Sequence, residues 1–147
     1  MPSGITHHKV TLVLSIPTFA FIYVKTGSFS LSLAGFTGNM LTTILSPDRD
    51  LPHYYGCWVI KKHFGSLAHN LWDLFWFPYP SVLKHRSFWS HSPLLGTIIR
   101  LLYLFWPILG VYYALKITPP LEIWGYFFLG AAISDTVHIL MDMVWSK

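Results

Sequence analysis

Histidine and aspartate are the side chains through which this sequence could do chemistry, and they recur in short, separated groups. His7 and His8 stand near the start, and Asp48, Asp50 and His53 share the segment SPDRDLPH. His85 and His91 share HRSFWSHS, and Asp135, His138 and Asp142 lie near the end. Imidazole with carboxylate is the donor set of divalent-metal centres, zinc first among them. On a helix, Asp135, His138 and Asp142 fall at about 0°, 300° and 340°, an arc of about 60° on one face. His138 and Asp142, one turn apart, can approach a single ion. Asp135 is then a third ligand or the carboxylate that orients His138. The alternative is a His–Asp hydrogen bond that packs the interior.

SPDRDLPH offers two carboxylates one residue apart, braced by Pro47 and Pro52. They can face one ion from a turned or extended backbone, or form a solvated Asx turn. His85 and His91 would sit about 240° apart on a helix, so they converge only if the chain turns between them. Ser90-His91-Ser92-Pro93 marks a helix start there. Arg86, between the two histidines, offers bidentate contact to an anionic group. His63, His69 and Asp73 suit the polar face of an interfacial helix. Cys57, the single cysteine, excludes an internal disulfide and reads as an inert small residue.

Such donors need a scaffold, and composition says which kind. The chain has 147 residues, 53% hydrophobic, 18% aromatic and only 11% charged, with mean hydropathy +0.48. Ordinary soluble domains carry about 25% charged residues. Disorder is excluded by the aromatic content, and a soluble domain is a poor fit. The net charge of +4 comes without a basic stripe or nucleic-acid motif, so it suits an anionic membrane surface better than nucleic acid.

The expected fold is an all-α, multi-pass membrane bundle of about four helices, a single domain over residues 1–147. Val10–Val24 and a Gly-, Ser- and Thr-rich Phe29–Leu45 are short for full spans, the second suited to close packing. Pro93–Ile117 and Leu121–Trp145 are long enough and form a hairpin broken at Thr118-Pro119-Pro120. The long loop Ser46–Ser92 holds an interfacial helix over Gly65–Phe77. Its Trp72, Phe75, Trp76 and Phe77, with Tyr79, belong at headgroup level. No signal peptide is expected, since only Lys9 precedes the first apolar run. Lys9, Arg49, Lys61, Lys62, Lys84, Arg86 and Lys147 share one side, against Lys25 and Lys116 on the other. The positive-inside rule then places the loop and both termini in the cytoplasm. That topology brings every His/Asp group named at the outset to one membrane face.

MPSGITH, SPDRDL, PYPSVLKHRSFWSHSPLLGTIIRLLYL and the helix bearing His138 and Asp142 together resemble an uncharacterised metal-binding membrane-protein family of bacteria. That family is similar to the YdjM-like inner-membrane proteins, which are described as metal-dependent hydrolases. The resemblance covers nearly the whole chain, and HRSxxSH is its most specific part. It implies a bacterial inner (plasma) membrane protein whose metal ligands are His7, Asp48, Asp50, His85, His91, His138 and Asp142. The position after His7, often Asp in the family, is His8 here, and the segment with His63 and His69 lies outside the shared pattern. A distant likeness to zinc-dependent phospholipase C is analogy only.

The function these readings support is a metal-dependent hydrolase at the cytoplasmic face, with zinc, or Mn²⁺ or Fe²⁺, activating water toward a phosphoester. Asp50 or Asp135 would serve as ligand, supporting carboxylate or base. The lipid bilayer is the expected partner, and a lipid-like substrate follows from location. The rival is a non-catalytic metal-binding or metal-handling membrane protein. Four side-chain ligands per ion would favour that rival, and three plus water would favour chemistry. Transport fits less well, because Arg100 would oppose cation passage.

Overall fold

A computed structural model describes residues 4–50, 54–83, 87–118 and 120–145, leaving aside the side chains of Arg49, Asp50, Ser90, His91 and Trp145. The described residues are all helical, with no strand among them. In chain order they form α1 (Gly4–Thr26), α2 (Phe29–Leu41), a 3-10 turn (Pro47–Asp50), α3 (Tyr55–Trp76), α4 (Pro78–Val82), α5 (Phe88–His91), α6 (Leu95–Ala114) and α7 (Leu121–Trp145).

Two residues turn α1 into α2. Gly27 takes φ +66°, a left-handed conformation open to glycine. Its N–H donates to the Tyr23 carbonyl at 2.8 Å and closes α1. Ser28 then caps α2, its hydroxyl accepting from the Leu31 N–H. The second helix does not run on to Leu45 as expected. From Thr42 the amides of Thr42, Thr43 and Ile44 bond three residues back, to Asn39, Met40 and Leu41, and the helix tightens and stops. Its 13 residues rise about 20 Å, short of a hydrocarbon core of about 30 Å. The first helix departs in the opposite direction. It begins at Gly4 and has 23 residues, because it continues through polar residues that an apolar run does not include. Three helices, α1, α6 and α7, are long and apolar enough to cross a membrane.

The polarity of α1 is inverted relative to a helix in water. Its buried residues are His7, Thr11, Ser15, Thr18 and Ile22, one stripe at helical spacing. Val13, Ile16, Phe21 and Val24 point outward and are exposed. A surface helix in water buries its apolar stripe and exposes its polar one.

Helix α2 lies between α1 and α7, and its contact with α7 is backbone on backbone. A Cβ on Gly38 would stand 1.9 Å from the Phe127 carbonyl oxygen, and one on Gly130 would stand 1.8 Å from that of Gly35. Only glycine permits this approach, which is how small residues join helices in the absence of a hydrophobic driving force.

The long loop carries more structure than a single interfacial helix. The expected Gly65–Phe77 helix is the second arm of α3, which bends at Gly65 (φ +84°, ψ 176°). Its aromatic residues do not all face outward. Trp76 and Tyr79 are buried with Leu45 and pack against Tyr103 of α6, whose hydroxyl donates to the Phe75 carbonyl at 2.7 Å. Among the apolar side chains left outside are Phe64, Leu67, Leu71, Leu74 and Phe77.

Candidate metal centre

The α1–α2 hairpin returns the chain to the level where it started, so the turn after α2 lies beside the first turn of α1. Helix α7 ends at the same level. His7 comes from α1, Asp48 from the 3-10 turn, and His138 and Asp142 from the last turns of α7. His7 Nε2–H donates to Asp142 Oδ1 at 3.1 Å. His138 Nε2 stands 3.3 Å from Asp48 Oδ2 and 3.6 Å from Asp142 Oδ2. The donor atoms of His7, His138 and Asp142 all lie within 4.8 Å of one another.

These spacings suit the ligands of a metal as well as a hydrogen-bonded cluster. Two nitrogen or oxygen ligands on a tetrahedral ion stand about 3.3 Å apart, from metal–ligand distances of about 2.0–2.1 Å. The three observed separations bracket that value. His138 Nε2 is buried, and although two carboxylates are near it, it has no hydrogen-bond partner among the described residues. Buried ring nitrogens are ordinarily satisfied; a cation between the carboxylates and this nitrogen would satisfy it. The rings of His7 and His138 are stacked, with centroids 3.8 Å apart and planes 24° from parallel. Lone pairs lie in the ring plane, and these planes meet well beyond ligand distance. One ion held by both rings therefore requires one imidazole to turn. Asp142 already presents one oxygen toward each ring.

One helical turn deeper, a set of hydroxyls ties the ligand-bearing helices together. Ser134 Oγ is 3.2 Å from Thr11 Oγ1 and 2.6 Å from Thr42 Oγ1. Thr11 is four residues past His7, and Ser134 four before His138, so the link fixes both histidines in register. Asp135 lies beside it, 1% exposed, and accepts from the Arg100 guanidinium and the Thr97 hydroxyl. A cavity of about 220 Å³ opens against this end of the bundle, lined by His7, His8, Asp48, Asp135 and His138 among others. Tyr54 and Tyr55 form a further part of its wall. Tyr54 is fixed there by donating to the Ile44 carbonyl at 2.6 Å and accepting from Trp72 Nε1–H at 3.1 Å.

Of the residues singled out in the sequence, His7, Asp48, His138 and Asp142 are thus brought together. Asp135, expected as ligand, orienting carboxylate or base, lines the same cavity, but its Oδ2 is engaged by Arg100 and Thr97. His53, His85 and Arg86, and the side chains of Asp50 and His91, lie outside the described residues. Sequence reasoning missed Arg100 as a partner and the Thr11–Ser134–Thr42 link. The signal for the first was present: one charge in a long apolar helix needs a counter-charge. Serine and threonine in a span carry no such signal.

Residues 2–120 match the profile of a family described as uncharacterized metal-binding protein (DUF2227). No curated protein and no solved structure matches the chain.

Proposed function

This chain belongs to the uncharacterized metal-binding protein family, and we propose that it is a membrane-embedded, metal-dependent hydrolase of phosphoesters, with its centre at the cytoplasmic face. One observation carries the reading. Imidazole and carboxylate groups from three chain segments converge at ligand spacing on the wall of a cavity. Membrane embedding is supported by the three long apolar helices and the inverted polarity of α1. The excess of basic residues on the loop side supports the orientation.

His7, Asp48, His138 and Asp142 would hold the ion, with His85, His91 and Asp50 as further ligands. Zinc suits two imidazoles with carboxylates. A divalent ion bound there supplies positive charge that lowers the pKa of water and polarises a phosphoryl oxygen. The chain's own groups do the rest. Asp135, held by Arg100 and Thr97, positions the turn of α7 that carries His138. Thr43 and Tyr55 line the cavity, and their hydroxyls can donate to an anionic substrate. The exposed stripe Phe64, Leu67, Leu71, Leu74 and Phe77 would keep α3 against the bilayer surface and the cavity near lipid headgroups.

Elemental analysis of the detergent-purified protein beside His7→Ala and His138→Ala tests the centre. We expect bound zinc in the parent, one equivalent of it lost in both folded variants, and metal-dependent cleavage of a phosphoester in a substrate screen. A folded parent that takes up no metal refutes the centre. A loaded parent that cleaves no phosphoester refutes the hydrolase and leaves metal binding without catalysis.

A further inference from the structure

A second group of metal-type donors lies in α3, away from the centre just described. Sixteen residues of continuous helix would separate Cys57 from Asp73 by about 24 Å. The two are instead in contact, Cys57 Sγ–H to Asp73 Oδ1 at 3.6 Å. The cause is Gly65. Its φ of +84° with ψ of 176° belongs to a region open essentially to glycine alone. The bend folds the second arm of α3 back on the first and brings His69 and Asp73 beneath Cys57. His69 Nδ1 is 3.4 Å from Asp73 Oδ2, and the donor atoms of all three residues lie within 4.8 Å of one another.

We propose that Cys57, His69 and Asp73 form a second divalent-metal site, of zinc type, that clamps the two arms of α3 together. With metal–sulfur at about 2.3 Å and metal–nitrogen or –oxygen at about 2.0 Å, tetrahedral ligands stand about 3.5 Å apart for S···O and 3.3 Å for N···O. The observed 3.6 and 3.4 Å are close to these separations, with the thiol facing Oδ1 and the imidazole Oδ2 of Asp73. The alternative is a thiol–carboxylate hydrogen bond beside an i, i+4 His–Asp pair, and 3.4 Å is long for the latter. Burial is graded as a site needs. Cys57 is 4% exposed, whereas the Asp73 side chain is 41% exposed, so the thiol forms a floor and the carboxylate a mouth. Cys57 also sits in the first turn of α3, where the helix dipole favours a negative thiolate. The clamp has a consequence for the cavity: Tyr54 and Tyr55, which wall it, are the N-cap and first residue of α3, and Trp72 on the other arm bonds Tyr54.

Cobalt(II) provides a private readout, because Cys57 is the only cysteine and any thiolate-to-cobalt charge-transfer band must come from it. Titration of the full chain in detergent should raise that near-ultraviolet band to saturation. It should vanish in Cys57→Ser and fall at least tenfold in apparent affinity in His69→Ala and Asp73→Ala. His138→Ala should leave it intact, which separates this site from the centre proposed above. A folded parent without the band, or a band unchanged in both His69→Ala and Asp73→Ala, overturns the proposal. Should those variants fail to fold, maleimide labelling of the unmutated protein decides. Zinc should slow alkylation of Cys57 at least tenfold, and an unchanged rate overturns the site.

Discussion

Replacing Arg100 by Met should destabilise the protein far more than replacing both members of its ion pair. Arg100 and Asp135 are 2% and 1% exposed, and Asp135 Oδ2 accepts from both the guanidinium and the Thr97 hydroxyl. Removing one partner of such a pair leaves an uncompensated charge in the interior, a loss of about 3–5 kcal/mol. That is a factor of roughly 150 to 5,000 in the folding equilibrium. Arg100→Met strands the carboxylate, with Thr97 still donating to it. Arg100→Met with Asp135→Asn removes both charges and keeps an acceptor for Thr97, so its cost should fall within about 1 kcal/mol of the parent. The assay is reversible unfolding in mixed micelles of SDS and a mild detergent, followed by helical circular dichroism, on the parent, both single variants and the double. The expected pattern is a large loss in Arg100→Met that is mostly recovered in the double. A loss below about 1 kcal/mol in Arg100→Met, or a double as costly as the two singles together, would refute the reasoning. The double variant also bears on Asp135 itself. If it retains metal-dependent cleavage, Asp135 positions α7 and takes no proton.

Three further outcomes follow from the packing and the centre. Gly38→Ala and Gly130→Ala place a Cβ within 2 Å of an opposing carbonyl oxygen and should each cost several kcal/mol, about the scale of severe overpacking; Gly125→Ala, with no atom within 4 Å, is the matched control and should be neutral or slightly stabilising in thermal unfolding. Chelation should lower thermal stability and zinc restore it, by about 2.7 kcal/mol at a free concentration one hundred times the dissociation constant; a melting temperature indifferent to both would count against a folded-state metal site. Thr42→Val removes the hydroxyl that meets Ser134 and should weaken zinc binding about 10- to 100-fold, the usual effect of losing support behind a ligand, while helical content is kept; unchanged affinity by competition with a fluorescent chelator would show that the link does not position the histidines.

What could be read from the sequence divides along a physical line. The approach of His138 and Asp142 on α7 was legible because i, i+4 spacing places them on one face whatever the rest of the chain does. The convergence of His7, Asp48 and His138 was legible from topology, because hairpins return the chain to one level. The Arg100–Asp135 pair could have been found the same way. Arg100 stands fourteen residues before Ala114, where α6 ends, and Asp135 fourteen after Leu121, where α7 starts, so an antiparallel hairpin sets them at equal depth. The end of α2 was not legible, since FSLSLAGFTGNMLTTIL mixes small, hydroxylated and apolar residues throughout and nothing in it marks Leu41 as a terminus. Nor was the inward turn of Trp76 and Tyr79. Aromatic residues serve lipid headgroups and protein cores equally well, and only the contact with Tyr103 decides. Gly65 was the most consequential miss. An isolated glycine in a helical pattern costs about 1 kcal/mol and is usually tolerated without a break. Its positive φ, visible only in three dimensions, is what brings Cys57 to His69 and Asp73.

The arrangement of polar groups along the bundle also bears on the metal centre proposed at this end. From the face inward, α1 buries His7, Thr11, Ser15 and Thr18; Ser15 donates to the Leu12 carbonyl of its own helix, and the other three find a partner on another helix. His7 meets Asp142, Thr11 meets Ser134, and Thr18 accepts from Asn39 at 3.4 Å. In an apolar surround an unpaired polar group is expensive, so each level enforces the helix register that satisfies the next. Hydroxyls and amides can close such levels among themselves. At the outermost level the buried Nε2 of His138 faces two carboxylates at about ligand spacing, where a cation would satisfy it. The levels beneath hold the donor-bearing helices in register, so that one imidazole need only turn for both rings to reach one ion. The register that stabilises the bundle is therefore the same one that aims the ligands.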